Sequence, residues 1–203
     1  MILYYIHDPM CSWCWGFKPV LQQLQNNLPR KIKIKYLLGG LAPDTDVPMP
    51  VNMRSQITST WKNIQKTIPG TQFNYDFWDK CTPKRSTYPS CRAVLSAAKQ
   101  KQNKSFEMLT AIQNAYYLHA LNPSEISTLR DIASSIGLNT ELFINDITSK
   151  AIDEQLKAEI SITRDLRVDS FPSLILNHAE KHYPIAIDYN HSDIILEHIE
   201  SFL

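Results

Sequence analysis

Two residues separate Cys11 from Cys14 directly after a strand-like segment, and this pair constrains the chain more than any other feature. Ile2 to Ile6 is a continuous apolar run, which is typical of a central strand covered on both faces. Apolar residues then recur at helical spacing from Phe17 to Leu28, so we expect a helix that begins near Cys11. Backbone N–H groups and the helix dipole favour a thiolate at that end of a helix. We therefore expect Cys11 to be the catalytic nucleophile and Cys14 the resolving thiol.

Zinc binding is the other chemistry that closely spaced cysteines support. The remaining cysteines, Cys81 and Cys91, are too far apart in sequence to form the second close pair that zinc sites commonly use. Two unreactive core cysteines are a further alternative, because free cysteine is often buried. We expect no metal and no cofactor. Cys91 is a candidate accessory residue that could relay electrons to the pair or bond to Cys81, and an idle buried thiol is its alternative.

The order of strands and helices predicts an α/β fold interrupted by a helical segment. The alternating run from Ile32 to Leu38 predicts a second strand, and a strand-helix-strand start favours a parallel pair with a right-handed crossover. From about Ala42 to Leu166 the periodicity is mostly helical. Strands return at Ser173–Asn177 and His182–Ile187, before a terminal helix. We therefore predict one domain of residues 1-42 and 167-203 and an inserted all-helical domain of residues 43-166.

Three local details of the helical region are also predicted. Asn122 is expected to cap a helix that has a proline at its first position, as many helices do. Ser105 is expected to cap another helix, with Phe106 on its inner face. The aromatic-rich stretch of residues 73–84 is expected to be a loop.

The net charge argues against nucleic-acid and membrane partners. It is +1 at neutral pH, and such surfaces need a clustered excess of Lys and Arg. We find neither an apolar run of about 18 residues nor a secretory signal pattern, so the expected location is cytoplasmic. The expected partners are protein or small-molecule thiols and disulfides, with glutathione as a candidate, and no nucleic acid or membrane.

Four segments resemble the DsbA family, in its cytoplasmic FrnE-like branch. They are Asp8–Phe17, Ser86–Ala93, Asn122-Pro123 and Val168–Leu174. The resemblance implies a thioredoxin fold with a helical insertion between its βαβ and ββα halves, and dithiol–disulfide exchange as the activity. By matched positions it assigns Cys11, Cys14 and Pro172 to the site.

The resemblance also implies that the loop before Ser173 faces the cysteine pair. A proline at the entry of a strand is a position where a cis peptide bond can occur, and we expect one at Phe171-Pro172. Trp13, Phe171 and Pro172 are the candidate substrate-binding residues.

His7 and Asp8 come just before the cysteine pair. His7 is a candidate accessory residue that could tune the Cys11 thiolate, and a solvated histidine at the end of a strand is its alternative. A negative charge on Asp8 would disfavour a thiolate nearby.

Three functions follow as candidates. The main one is a thiol–disulfide oxidoreductase or isomerase. Because Ser12-Trp13 replaces the histidine-containing dipeptide of the periplasmic members, we expect it to lean towards reduction. A glutathione-dependent transferase or isomerase, of the kappa or 2-hydroxychromene-2-carboxylate isomerase type, shares the layout. The third is a docking module that keeps the scaffold and not the thiol chemistry.

Overall fold

The N-terminal strand lies in the centre of a single mixed sheet. The computed structural model describes residues 1–203. The strands are β1 (Ile2–His7), β2 (Lys33–Leu38), β3 (Ser173–His178) and β4 (Lys181–Ile185), in the order β2-β1-β3-β4. β1 pairs parallel with β2 and antiparallel with β3, and β4 pairs antiparallel with β3 at the edge. The central position of β1 agrees with its continuous apolar run.

Nine helices accompany the sheet, and seven of them lie between β2 and β3 in the chain. They are α1 (Ser12–Asn27), α2 (Val51–Thr67), α3 (Phe77–Lys80), α4 (Tyr88–Gln100), α5 (Lys104–Tyr117), α6 (Ile126–Ser135), α7 (Thr140–Ile147), α8 (Lys150–Asp165) and α9 (Ser192–Glu200). The predicted fold class is confirmed, since a βαβ half and a ββα half flank the helical segment. The division into domains 1-42 with 167-203 and 43-166 stays a prediction.

The two faces of the sheet are covered differently. Leu3, Leu174 and Leu176 pack against apolar side chains of α1 and α9, such as Phe17 and Ile195. On the opposite face, a small cluster of Ile6, Leu37 and Ile175 packs with the chain that leads into β3. None of the nine helices is both long enough and apolar enough to span a lipid bilayer.

Two of the predicted helix starts are wrong because local side-chain bonds close turns instead. The Asn122 side chain accepts a hydrogen bond from the Ser124 backbone N–H, and α6 begins only at Ile126. Ser105 lies inside α5, where its hydroxyl donates to the Gln102 carbonyl, and Asn103 occupies the N-cap position.

Two aromatic residues differ from expectation in the same region. Phe106 is 47% exposed and packs edge-on against Tyr36, so it does not point into the core. The predicted loop of residues 73–84 contains the short helix α3, because burial of Phe77 in a cluster of aromatic rings holds one helical turn there.

Candidate active site

The first turn of α1 holds the two cysteines in unequal surroundings. Cys11 is the N-cap residue of α1, and its sulfur accepts a hydrogen bond from the Cys14 backbone N–H at 3.2 Å. Cys11 is 5% exposed and Cys14 only 1%. Burial, and then the adjacent Cys11, raise the pKa of Cys14 well above its usual value. Both thiols are free in this structure.

The loop that precedes β3 lies against Cys11. The Phe171-Pro172 peptide bond is cis, which confirms the prediction for this bond. The Cys11 thiol donates to the Phe171 carbonyl oxygen at 3.4 Å. The Phe171 ring packs against Gly39. It lies so close that a Cβ added at Gly39 would be 2.1 Å from the ring. Phe171 therefore faces the site with its carbonyl group, and Pro172 is buried behind it.

The tryptophans on either side of Cys14 pack in different directions. Trp13 is half-buried, and its ring centroid lies 4.9 Å from that of Tyr189, just before α9. Trp15 stacks on Tyr117 of α5 at 5.4 Å and donates its indole N–H to the Gln72 carbonyl. Trp15 thus anchors α1 to the helical segment, whereas Trp13 leaves part of its ring exposed beside the cysteine pair.

Asp8 is the polar centre beneath the site, and sequence reasoning considered only its charge. It is fully buried, and its carboxylate accepts hydrogen bonds from the backbone of Met10 and Leu41, each at 2.8 Å, and from the Thr87 hydroxyl at 2.6 Å. Burial raises the pKa of Asp8, although these hydrogen bonds oppose the rise. The Met10 bond is local, but the Leu41 and Thr87 donors are far from Asp8 in sequence, so no local pattern could reveal the whole arrangement.

Cys91 lies on α4 beside the same carboxylate. It is fully buried, and its thiol donates to Asp8 Oδ2 at 3.5 Å. Burial, followed by the negative charge of Asp8, raises the pKa of Cys91 well above its usual value. The Cys81 thiol instead donates to the Ala120 carbonyl at 3.2 Å, so the two cysteines have separate partners.

His7 is buried among aromatic rings and is not a solvated residue at the end of a strand. Its ring stacks on Tyr5 at 5.1 Å and meets Tyr36 edge-on at 5.5 Å. Burial lowers the pKa of His7 to about 3, so the imidazole is neutral near pH 7. Strand alternation puts His7 on the same face as Tyr5, and the predicted role of His7 towards the Cys11 thiolate stays a prediction.

Comparison with known sequences identifies the family. The family described as Thioredoxin matches residues 4–197. The chain is 24% identical over 177 residues to the ClpXP adapter protein SpxH of Halalkalibacterium halodurans. That match covers 85% of this chain and 57% of the relative, so the chain spans little more than half of the relative's length.

Solved structures share the fold over nearly the full chain. A crystal structure from Nitrosomonas europaea, provisionally described as a protein disulfide isomerase, superposes with a TM-score of 0.85 at 26% identity, covering 99% of this chain and 96% of that one. The cytosolic disulfide reductase DsbM of Pseudomonas aeruginosa superposes with a TM-score of 0.78 at 21% identity, covering 100% and 98%. DsbM has also been solved with GSH. The match over residues 4–197 shows that this chain belongs to the thioredoxin family, and the solved structures share its fold.

Proposed function

We propose that this protein is a thiol–disulfide oxidoreductase that works through Cys11 and Cys14. The environment of the Cys11 sulfur carries the proposal. It lies at the N-terminal end of α1, receives the Cys14 N–H and faces the Phe171 carbonyl. A thiolate is the reactive form of cysteine, and a helix N-terminus with a backbone donor favours it.

The exchange proceeds in two balanced steps. The Cys11 thiolate attacks one sulfur of the substrate disulfide, and the other sulfur leaves as a thiolate that takes up a proton. Cys14 then loses its proton and attacks Cys11 in the mixed disulfide, which releases the second substrate thiol and leaves a Cys11–Cys14 disulfide. The substrate has gained two electrons and two protons, and an external dithiol or two glutathione molecules restore the enzyme.

The surroundings of the pair provide the surface for the substrate. Trp13 offers a half-exposed ring beside the cysteines, and Pro172 holds the loop whose Phe171 carbonyl faces Cys11. When Cys11 is a thiolate it no longer donates to this carbonyl, which is then free to accept an N–H of an extended substrate. A contribution of Cys91 would act through Asp8, which its thiol contacts.

We further propose that the protein favours reduction or isomerisation over oxidation. Neither Ser12 nor Trp13 supplies a cation that would stabilise a thiolate, and burial raises the pKa of Cys14 well above its usual value. Both features stabilise the disulfide relative to the dithiol, so the reduction potential should lie below the value of about −120 mV typical of strong oxidants. Equilibration with a glutathione buffer measures it. A potential near −120 mV would contradict this direction and the proposed cytoplasmic location.

Insulin reduction by dithiothreitol tests the main proposal. The wild-type protein should accelerate the reaction, Cys11→Ser should fall to the uncatalysed rate, and Cys14→Ser should accumulate mixed disulfides. Cys81→Ser is the matched control and should behave as wild type, because its thiol bonds to Ala120 outside the pair. Full activity of Cys11→Ser would refute the assignment.

The names of the curated relatives favour a second candidate, a protein adapter. An adapter needs the folded surface and not the two thiols. Binding of purified ClpXP to the wild-type chain and to the Cys11→Ser/Cys14→Ser variant, measured by interferometry, distinguishes the candidates. Equal, saturable binding by both proteins, together with no insulin reduction, would replace the oxidoreductase by the adapter.

The third candidate is a glutathione-dependent transferase or isomerase. Calorimetric titration with S-methylglutathione tests it, because this ligand measures glutathione binding and cannot form a mixed disulfide. The oxidoreductase proposal expects weak binding and a requirement for Cys14. Tight binding together with activity that persists in Cys14→Ser would favour the transferase or isomerase.

A further inference from the structure

A cavity of about 420 Å³ lies between β2 and the helices α4, α5 and α8. Its walls are largely apolar, with Ile34 and Leu38 on the sheet side and Val94 and Leu109 on the helical side. Small-molecule sites in proteins typically occupy about 300–1,000 Å³ and combine apolar walls with a few polar groups. The cavity therefore has the size and lining of a ligand site, and the thiol chemistry of Cys11 does not use it.

One polar group in the wall is a buried histidine with unused hydrogen-bonding capacity. His7 lines the cavity, is only 2% exposed, and its Nδ1 has no hydrogen-bond partner. A buried polar atom without a partner destabilises the folded state. Because the ring is neutral near pH 7, one of its nitrogens can donate a hydrogen bond and the other can accept one.

The second polar group is an acid without a cationic partner. Glu159 of α8 lines the cavity, and one of its oxygens accepts the Leu38 backbone N–H at 2.8 Å. No lysine or arginine forms a salt bridge with Glu159. Lys35 also lines the cavity, but its ammonium lies over the ring of Tyr4, 5.8 Å from the centroid, on the other face of the sheet. Burial raises the pKa of Glu159, while the Leu38 N–H and the positive charge of Lys35 oppose the rise. The ionised carboxylate therefore offers a ligand an acceptor that forms no salt bridge within the protein.

Aromatic rings define the shape of the cavity. Tyr36 and Phe106 meet edge to face at 5.6 Å, and the His7 ring stands at 86° to that of Tyr36. Phe106 is 47% exposed although it lines the cavity, so its ring is available to a bound molecule. Flat apolar surfaces of this kind favour an aromatic ring over a sugar or an aliphatic chain.

We propose that this cavity binds a small aromatic amine, with the amine nitrogen paired to the Glu159 carboxylate and the aromatic ring packed against Tyr36 and Phe106. His7 supplies a further hydrogen bond to the ligand. The acceptor character of the polar lining and the planar walls select this class over anions, which Glu159 would repel.

Calorimetric titration with tryptamine tests the proposal, and tryptophol, which replaces the amine by a hydroxyl group, is the matched neutral probe. Tryptamine should bind saturably and at least about tenfold more tightly than tryptophol, because a charge-assisted hydrogen bond contributes that much. Glu159→Gln keeps the shape and an acceptor for Leu38, and it should weaken tryptamine binding at least about tenfold. Glu154→Gln, on the exposed side of α8, should bind as wild type.

Ala98→Phe fills the cavity and should abolish binding of both probes. If that variant does not fold, the amide chemical shifts of the wild-type protein locate the binding site. Tryptamine should then shift the amide resonances of Leu38 and Val94 in a saturable manner. Absence of saturable tryptamine binding would overturn the proposal. So would equal binding of the two probes, undiminished binding by folded Glu159→Gln, or shifts confined to residues outside the cavity.

Discussion

At the scale of single residues, small differences in environment separate side chains of the same type. Cys11 caps α1 and keeps 5% of its surface exposed, whereas Cys14 is 1% exposed and Cys91 is fully buried beside a carboxylate. Burial raises the pKa of both Cys14 and Cys91 well above the usual value. Thiol reactivity follows the thiolate fraction and access, so the three thiols should differ although their covalent chemistry is identical.

Alkylation of the reduced protein by iodoacetamide near neutral pH should modify Cys11 at least about tenfold faster than Cys14, since each unit of raised pKa lowers the thiolate fraction tenfold. Cys91 should remain unmodified until the protein unfolds. Peptide mass spectrometry over a time course gives the three rates. Faster modification of Cys14 than of Cys11 would reverse their proposed roles.

His7 should make the protein sensitive to acid. The unfolded state binds a proton at this residue below about pH 6.5, whereas the folded state does so only at about pH 3. The unfolded state therefore binds more protons between these values, and stability falls as the pH is lowered. Between pH 7 and pH 4.5, His7→Phe should lose about 2 kcal/mol less unfolding free energy than wild type.

Urea unfolding at several pH values measures the slope for wild type and for His7→Phe. His119→Phe, at an exposed position, is the control and should keep the wild-type slope. An unchanged slope in His7→Phe would mean that another group controls the acid sensitivity.

At the scale of elements, the end of β2 and the entry to β3 are built against each other. Gly39 follows β2 directly, and the Phe171 ring occupies the space where a Cβ would lie, 2.1 Å from the nearest ring atom. This close approach holds the loop whose carbonyl reaches Cys11. A glycine at the end of a strand is therefore part of the support of the active site.

Gly39→Ala should destabilise the protein by about 1–3 kcal/mol, because overpacking forces Phe171 out of its place. It should also slow insulin reduction, since the loop opposite Cys11 moves with the ring. The double variant Gly39→Ala/Phe171→Ala removes the clash, and its loss of stability should be smaller than the sum of the two single losses. Additive losses in urea unfolding would show that the contact does not hold the loop.

At the scale of the whole molecule, one buried carboxylate joins the thioredoxin elements to the helical segment. Asp8 follows β1, Leu41 follows β2 and Thr87 precedes α4, and all three meet at hydrogen-bond distance. Within the helical segment, the Arg92 guanidinium of α4 donates to both oxygens of Asp44, in the loop before α2, at 2.7 and 2.8 Å. The Asp8 bonds fix α4 relative to the sheet and thereby the surroundings of the cysteine pair.

Thr87→Val should destabilise the protein by at least about 2 kcal/mol, because it removes a donor to the buried Asp8 carboxylate and an acceptor for the Ala42 N–H. Thr87→Ser keeps the hydroxyl and should cost only about 1 kcal/mol for the lost methyl group. The loss of unfolding free energy in Thr87→Val, relative to wild type, should grow as the pH rises. The reason is that the Thr87 bond lowers the pKa of Asp8 and favours its ionised form. Equal urea midpoints for the two variants would contradict this role.

Local sequence signals were enough to predict the order of the elements and to single out the cysteine pair. Three such signals are the spacing of Cys11 and Cys14, the apolar run of β1 and the helical periodicity after Phe17. Each is a pattern within a short stretch of chain, so it can be read without the tertiary structure. The cis peptide bond at Phe171-Pro172 was also predicted, through the resemblance of its segment to the DsbA family. The misplaced starts of α5 and α6 show the limit, because capping residues such as Asn122 can close a turn as readily as they start a helix.

The contacts between residues far apart in the chain became visible in the folded structure alone. Asp8 is a hydrogen-bonding centre because backbone and side-chain donors from separate elements converge on it. His7 lines an aromatic cavity, since strand register and the helices above the sheet determine its neighbours. Burial and unsatisfied hydrogen-bonding capacity are properties of the packed chain, so no window of sequence contains them.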